Sequence, residues 1–90
     1  MLRIKHTNLF KKDVELAKKR GKNLDKLRKV IDLLVEEKLL PLTFRDHGLI
    51  GNYKGRRECH IESNWLLIYK KEIDIIIFER TGTHADLFNS

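Results

Sequence analysis

The chain has a single cysteine, Cys59, so it can form no internal disulfide, and a reduced, half-buried thiol is expected. It has no apolar run long enough to span a bilayer and no secretory pattern at its N-terminus, so a cytoplasmic protein away from membranes is expected. Acidic residues are in deficit: 13 stand against 19 Lys and Arg, which gives a net charge of +6. A field of that sign favours a polyanionic partner, nucleic acid or an acidic protein. It does not choose between DNA and RNA, or between binding and cleavage. Repeats, low-complexity stretches and a second domain are absent, so residues 1–90 are read as one domain with one modest core. Hydrophobic residues at 41% beside charged residues at 36% fit a compact domain with a charged exterior and not a disordered chain.

What the chain does contain falls into two halves. Leu2-Arg3-Ile4-Lys5 alternates apolar and polar, as a half-buried strand does. A helix follows, capped by Thr7 or Asn8, with Phe10, Val14 and Ala17 at helical spacing and Gly21 at its end. Asn23 caps a second helix through Leu24, Leu27, Val30, Ile31, Leu34 and Val35, which Pro41 is expected to stop. The short linker implies an antiparallel helical hairpin whose apolar stripe packs on a later sheet. From Thr43 to Gly51 the pattern reads as a loop carrying His47. Three strands then follow, from about Tyr53 to Ile61, from Trp65 to Lys70 and from Ile73 to Arg80. Thr81-Gly82-Thr83 reads as a break before a terminal segment, His84 to Phe88. The fold class is α+β, a helical hairpin on a small antiparallel sheet in the order β-α-α-β-β-β.

The chemistry-capable residues lie between His47 and Phe88. Alternation along the first of the three strands puts Arg57, Cys59 and Ile61 on one face and Arg56, Glu58, His60 and Glu62 on the other. Glu58 and His60 thus stand side by side on a face expected to be exposed. An acid beside an imidazole suits general acid–base catalysis near neutral pH. Taken alone, the pair is also the ordinary mark of a solvated charged strand. Arg80 can hold a phosphate bidentately if its face coincides with that of Glu58 and His60. A one-residue slip in either hairpin would reverse that, and a surface salt bridge with Glu79 or a place at the core edge is the plainer reading of Arg80. His84 offers a second acid–base group or an exposed turn residue. Phe88 offers a base-stacking surface or a plug at the core edge. Trp65, at the start of a buried strand, reads as core. His47, His60, His84 and Glu58 fit no compact zinc spacing, so no metal and no cofactor is expected. Cys59, on the buried face, is not expected to be a nucleophile.

As an ordered set, His47-Gly48-Leu49, Gly51-Asn52-Tyr53-Lys54-Gly55, Arg57-Glu58-Cys59-His60-Ile61, Asn64-Trp65-Leu66-Leu67-Ile68-Tyr69, Glu79-Arg80-Thr81-Gly82-Thr83-His84 and Leu87-Phe88 resemble the YafQ branch of the RelE/ParE toxin superfamily. The likeness covers nearly the whole chain, including the Lys-rich first helix. It implies a compact α+β fold with the N-terminal strand joined beside the last one. It implies a type II toxin: a metal-independent endoribonuclease that cleaves mRNA, associated with the ribosome and neutralised by an acidic cognate antitoxin. It implies a catalytic set of His47, Glu58, His60 and His84, with Phe88 placing the base and Arg80 on the phosphate. The reaction would be attack of a ribose 2′-OH on the adjacent phosphate. The branch usually has an acid before the tryptophan, where this chain has Asn64, and often an aspartate where it has Glu58. Two other readings stand beside this one. A non-enzymatic gyrase poison, as in the ParE branch, would not need the acid–base groups. A plain nucleic-acid-binding module would show steep salt dependence without cleavage.

Overall fold

The computed structural model describes residues 1–88. β1 (Arg3–His6) leads into α1 (Asn8–Lys19) and α2 (Leu24–Val35). β2 (His47–Gly48), β3 (Arg57–Glu62), β4 (Trp65–Lys71) and β5 (Ile75–Gly82) follow, and α3 (His84–Phe88) closes the described chain. The sheet order is β1-β5-β4-β3-β2. Three of the four strand pairings are antiparallel, whereas β1 lies parallel to β5, so the sheet is mixed.

Local chemistry fixes the helix ends. Thr7 Oγ1 accepts the Phe10 N–H at 3.0 Å, which makes Thr7 the cap of α1. Asn23 Oδ1 accepts the Asp25 N–H at 3.0 Å at the start of α2. Pro41 does not stop α2. The helix ends at Val35, and Glu37, with φ 58°, turns the chain away. Glu37 N–H bonds Leu34 O and Lys38 N–H bonds Leu33 O, the pair of bonds that satisfies a helix C-terminus through a left-handed residue.

The three central strands depart from their sequence-based limits. β3 starts at Arg57 because residues Gly51–Tyr53 form a 3-10 turn and Gly55 adopts φ 86°. β5 runs through Thr81 and Gly82, which do not break it: Thr81 pairs with Leu67 and Gly82 with Leu66. β2 is the other addition, pairing His47 with Glu58 and Gly48 with Arg57. Its two residues are too few to leave a periodic signal.

β4 is buried on both faces, which explains its unbroken apolar run. Trp65, Leu67 and Tyr69 join Cys59, Ile61, Ile76 and Phe78 and the inner stripes of α1 and α2 in the main core. Leu66 and Ile68 face the other way and meet Leu87, with Leu49 and Tyr53 at the margin of this second cluster. The face opposite the helices is therefore not open to solvent. Chain from the β2–β3 connection and α3 lies over it.

Candidate active site

The covered face carries the candidate residues Glu58, His60 and Arg80. Glu58 pairs across the sheet with Ile68, and Ile68 pairs with Arg80, so Glu58, Ile68 and Arg80 form one transverse row on one face. His60 lies next to it, opposite Leu66. The expectation that Glu58 stands on an exposed surface is corrected: the residue is 5% exposed. Burial follows from the second apolar cluster, which covers the row.

Glu58 Oε1 lies 3.4 Å from Nε2 of His47 and 3.4 Å from Nε2 of His60. Its second oxygen, Oε2, and Nδ1 of His60 are buried without a hydrogen-bond partner. His47 is half exposed, and its Nδ1 faces Arg45 O at 2.7 Å, so that nitrogen carries a proton and donates it. One carboxylate oxygen thus sits between two imidazoles, within ion-pair reach of whichever is protonated.

The rings continue in line. The centroid separations are 6.3 Å from His47 to His60, 5.8 Å from His60 to His84 and 6.4 Å from His84 to Phe88. Tyr53 meets Phe88 edge-on at 5.6 Å. Beyond them opens a cleft of about 510 Å³ lined by Ile50, Asn52, Tyr53, Leu87 and Phe88. Phe88 is not the plug of the core edge. Leu87 fills that role, and Phe88 remains partly exposed toward the cleft. A flat partner can stack there beside the histidines.

His84 heads α3, and its position depends on two residues that sequence reasoning passed over. Asp86 accepts the Thr83 N–H at 3.0 Å while Thr83 Oγ1 accepts the Asp86 N–H at 3.1 Å, a reciprocal cap. Arg20, at the end of α1, donates to both oxygens of Asp86, at 2.7 and 3.3 Å. Gly82 makes room, since a Cβ there would lie 3.0 Å from the Asp86 side chain. The Arg20 guanidinium, helped by the Thr83 N–H, holds the Asp86 carboxyl well below the usual carboxylate range. Asp86 binds a proton less readily folded than unfolded. Its stabilisation is therefore present above the ordinary carboxylate pKa and is lost as pH falls through the folded value. Asp86→Asn is expected to melt below the wild type at about pH 7, with a gap that narrows toward about pH 2. Equal gaps in thermal melts at both ends would show that the ion pair contributes nothing.

Arg80 has a different partner from the one expected. Its Nε and Nη2 donate to Asp13 of α1 at 2.7 and 3.1 Å, and Glu79 instead binds Arg56. Asp13 also accepts the Thr81 N–H at 3.0 Å, on the stretch of β5 beyond the end of β1. Asp13, before all else, and Tyr53 raise the Arg80 pKa, so the guanidinium stays charged. Arg80 thus lies in the Glu58 row by register, with its head group tied to the helix.

Cys59 is buried on the helix side, and burial pushes its thiol up to about 12, so a thiolate nucleophile is unavailable. Trp65 is core, as its position in the run predicts. Among the described residues, no group of three or more His, Cys, Asp or Glu is arranged to hold a metal ion. No helix among them is long and apolar enough to cross a membrane. The signal for Asn64 and Tyr53, which touch the site, lay in their neighbourhood to the tryptophan and the glycines. No local pattern marked Asp13, Arg20 or Asp86.

A family model described as the bacterial toxin of a type II toxin–antitoxin system, YafQ, matches residues 2–89. The mRNA interferase toxin YafQ of Escherichia coli K12 is 46% identical over 86 residues, covering 94% of each chain. The crystal structure of YafQ from E. coli BL21(DE3) superposes with a TM-score of 0.93 at 44% identity, over 98% of this chain and 99% of that one. The toxin in the E. coli DinJ–YafQ complex does so with a TM-score of 0.92, at the same identity and coverage.

Proposed function

Because the chain belongs to the YafQ family of bacterial type II toxin–antitoxin toxins, we propose that it is an mRNA interferase, a metal-independent endoribonuclease of the cytoplasm. The observation that carries this reading is the buried Glu58 oxygen set between the Nε2 atoms of His47 and His60, with His84 and Phe88 in line beyond. A binding poison of gyrase has no use for such a cluster of acid–base groups. Cleavage of RNA needs one base, one acid and a cation.

In this reaction the ribose 2′-OH attacks the neighbouring phosphorus. One imidazole, steadied by Glu58, removes the hydroxyl proton. The P–O5′ bond breaks, and a second protonated imidazole of the set delivers a proton to the leaving oxygen. The products are a 2′,3′-cyclic phosphate and a 5′-hydroxyl end. Arg80, held in its charged form by Asp13, offers its positive charge to the phosphate as it gains a fifth oxygen. Phe88 and Tyr53 receive a base in the cleft, which sets the scissile phosphate over the histidines. The requirement for a 2′-OH makes the substrate RNA and not DNA.

The partners follow from charge. The net charge of +6 favours the ribosome, where mRNA is held extended, and an acidic cognate antitoxin. A basic antitoxin surface against this sheet would contradict that. The test is cleavage of a defined mRNA by antitoxin-free protein in EDTA, with and without ribosomes, followed by mapping of the ends. Cuts bearing 5′-hydroxyl ends are expected. Absence of cuts in both conditions would overturn the reading in favour of a gyrase poison or a binding module.

A further inference from the structure

The turn between β3 and β4 contains a polar contact that the mechanism above does not use. Asn64 Oδ1 lies 3.0 Å from the backbone N of His84 and 2.7 Å from its ring Nδ1. The two contacts together fix protons that neither fixes alone. A backbone N–H can only donate, so the atom facing it must be the amide oxygen and not the amide nitrogen. An amide oxygen can only accept, so the ring nitrogen facing that same oxygen must carry its proton. Nδ1 of His84 is therefore the protonated nitrogen, and in the neutral ring Nε2 keeps the free lone pair.

We propose that Asn64 is a positioning residue that locks His84 in its Nδ1–H form, presenting Nε2 to the RNA. The catalytic half of this proposal rests on the nuclease reading, and the proton placement does not. In a free neutral histidine the Nε2–H form is the more populated, so the lock works against the intrinsic preference of the ring. It also anchors the ring and the backbone of its own residue with one atom. The first residue of α3 is thereby stitched to the β3–β4 turn, 20 residues earlier in the chain. Because an amide carries no charge, the lock orients the ring without adding a negative charge beside the phosphate. A carboxylate at this position would keep the orientation and would also favour the doubly protonated ring. The titratable group facing His84 is His60 of β3, with Glu58 behind it; the charged residue nearest in α3 itself is Asp86, paired with Arg20 at the end of α1.

The experiment compares wild type, Asn64→Ala and Asn64→Asp, all of which alter only an exposed turn side chain. Long-range ¹H–¹⁵N correlation spectra of the antitoxin-free protein read the His84 tautomer with no RNA present. Wild type and Asn64→Asp are expected to show the Nδ1–H ring, and Asn64→Ala to shift toward Nε2–H. A wild-type ring in the Nε2–H form, or an Asn64→Ala ring unchanged from wild type, overturns the proposal. In cleavage assays, Asn64→Ala is expected to lower kcat about tenfold with KM little changed, less than loss of a whole acid–base group. Asn64→Asp is expected to restore kcat and move the limb of the pH–rate profile that reports His84 up by about one pH unit. Superimposable pH profiles for Asn64→Asp and wild type would overturn the catalytic half. A wild-type protein with the Nδ1–H ring and no cleavage would instead sink the nuclease reading and leave the proton placement standing.

Discussion

His60→Ala is expected to lower the rate of mRNA cleavage by about 10²–10⁴-fold, the contribution of a positioned acid–base group. Of the three histidines in the row, His60 is the middle one, with ring neighbours at 6.3 and 5.8 Å. It is also the least exposed of the two that touch Glu58, its side chain 12% exposed against 50% for His47. Removing it takes the middle imidazole out of the row and leaves Glu58 facing one imidazole. The fold is expected to survive. His60 makes no hydrogen bond through Nδ1, and its neighbours Leu66 and Ile68 keep their packing on Leu87. The check is kcat on a defined mRNA beside a thermal melt. Near wild-type cleavage by a folded variant would remove His60 from the mechanism. His84→Ala is expected to show the same direction of effect, since no other described imidazole lies beside Phe88.

Trp65→Ala is expected to cost about 3–5 kcal/mol of stability, the usual loss for a buried aromatic cut back to a methyl. Trp65 is 1% exposed and lies in the main core. Its Nε1 donates to Thr81 Oγ1 at 3.0 Å, and that hydroxyl donates to Leu66 O at 2.7 Å. The substitution opens a cavity and removes the hydrogen bond that ties β4 to β5 near α3. Lys22 lies over the ring, 5.8 Å from its centroid, so part of the linker between α1 and α2 loses its seat as well. For a domain with a total stability of about 5–15 kcal/mol the loss is a large share. Trp65→Phe keeps most of the volume and is expected to cost far less. Chemical denaturation of the three proteins checks the ranking. A loss below about 1 kcal/mol in Trp65→Ala would show that the ring is not a core element.

The sequence revealed what is written locally. The caps at Thr7 and Asn23 sit directly before the periodic stripes they serve, and β4 announces itself because both of its faces are buried. The helical hairpin and the three central strands were legible for that reason. The place of β1 beside β5 came from family likeness, and its parallel direction came from the structure alone. The candidate set could be listed but not arranged. Burial of Glu58 depends on Leu87, 29 positions later, folding back over Leu66 and Ile68. The partners of Arg80 and Asp86 lie 67 and 66 positions away, in α1 and at its C-terminal end. A pairing at such separation leaves no periodicity, so the salt bridge between neighbours Glu79 and Arg80 looked simpler than the true one. Asn64 stood out only as a departure from the family pattern, and its bond to His84 needed coordinates to be seen.

The pairing of β1 with β5 also governs when this protein becomes dangerous during its own synthesis. Residues 3–6 wait for residues 75–78 before the sheet can take its final form. His84 and Phe88 emerge later still. A nascent chain therefore carries a finished helical hairpin well before it carries the proposed site, since domains take shape in step with translation and distant strand pairings come last. The proposed site is thus incomplete for most of the round, and it comes together only once β5 has paired and α3 has docked.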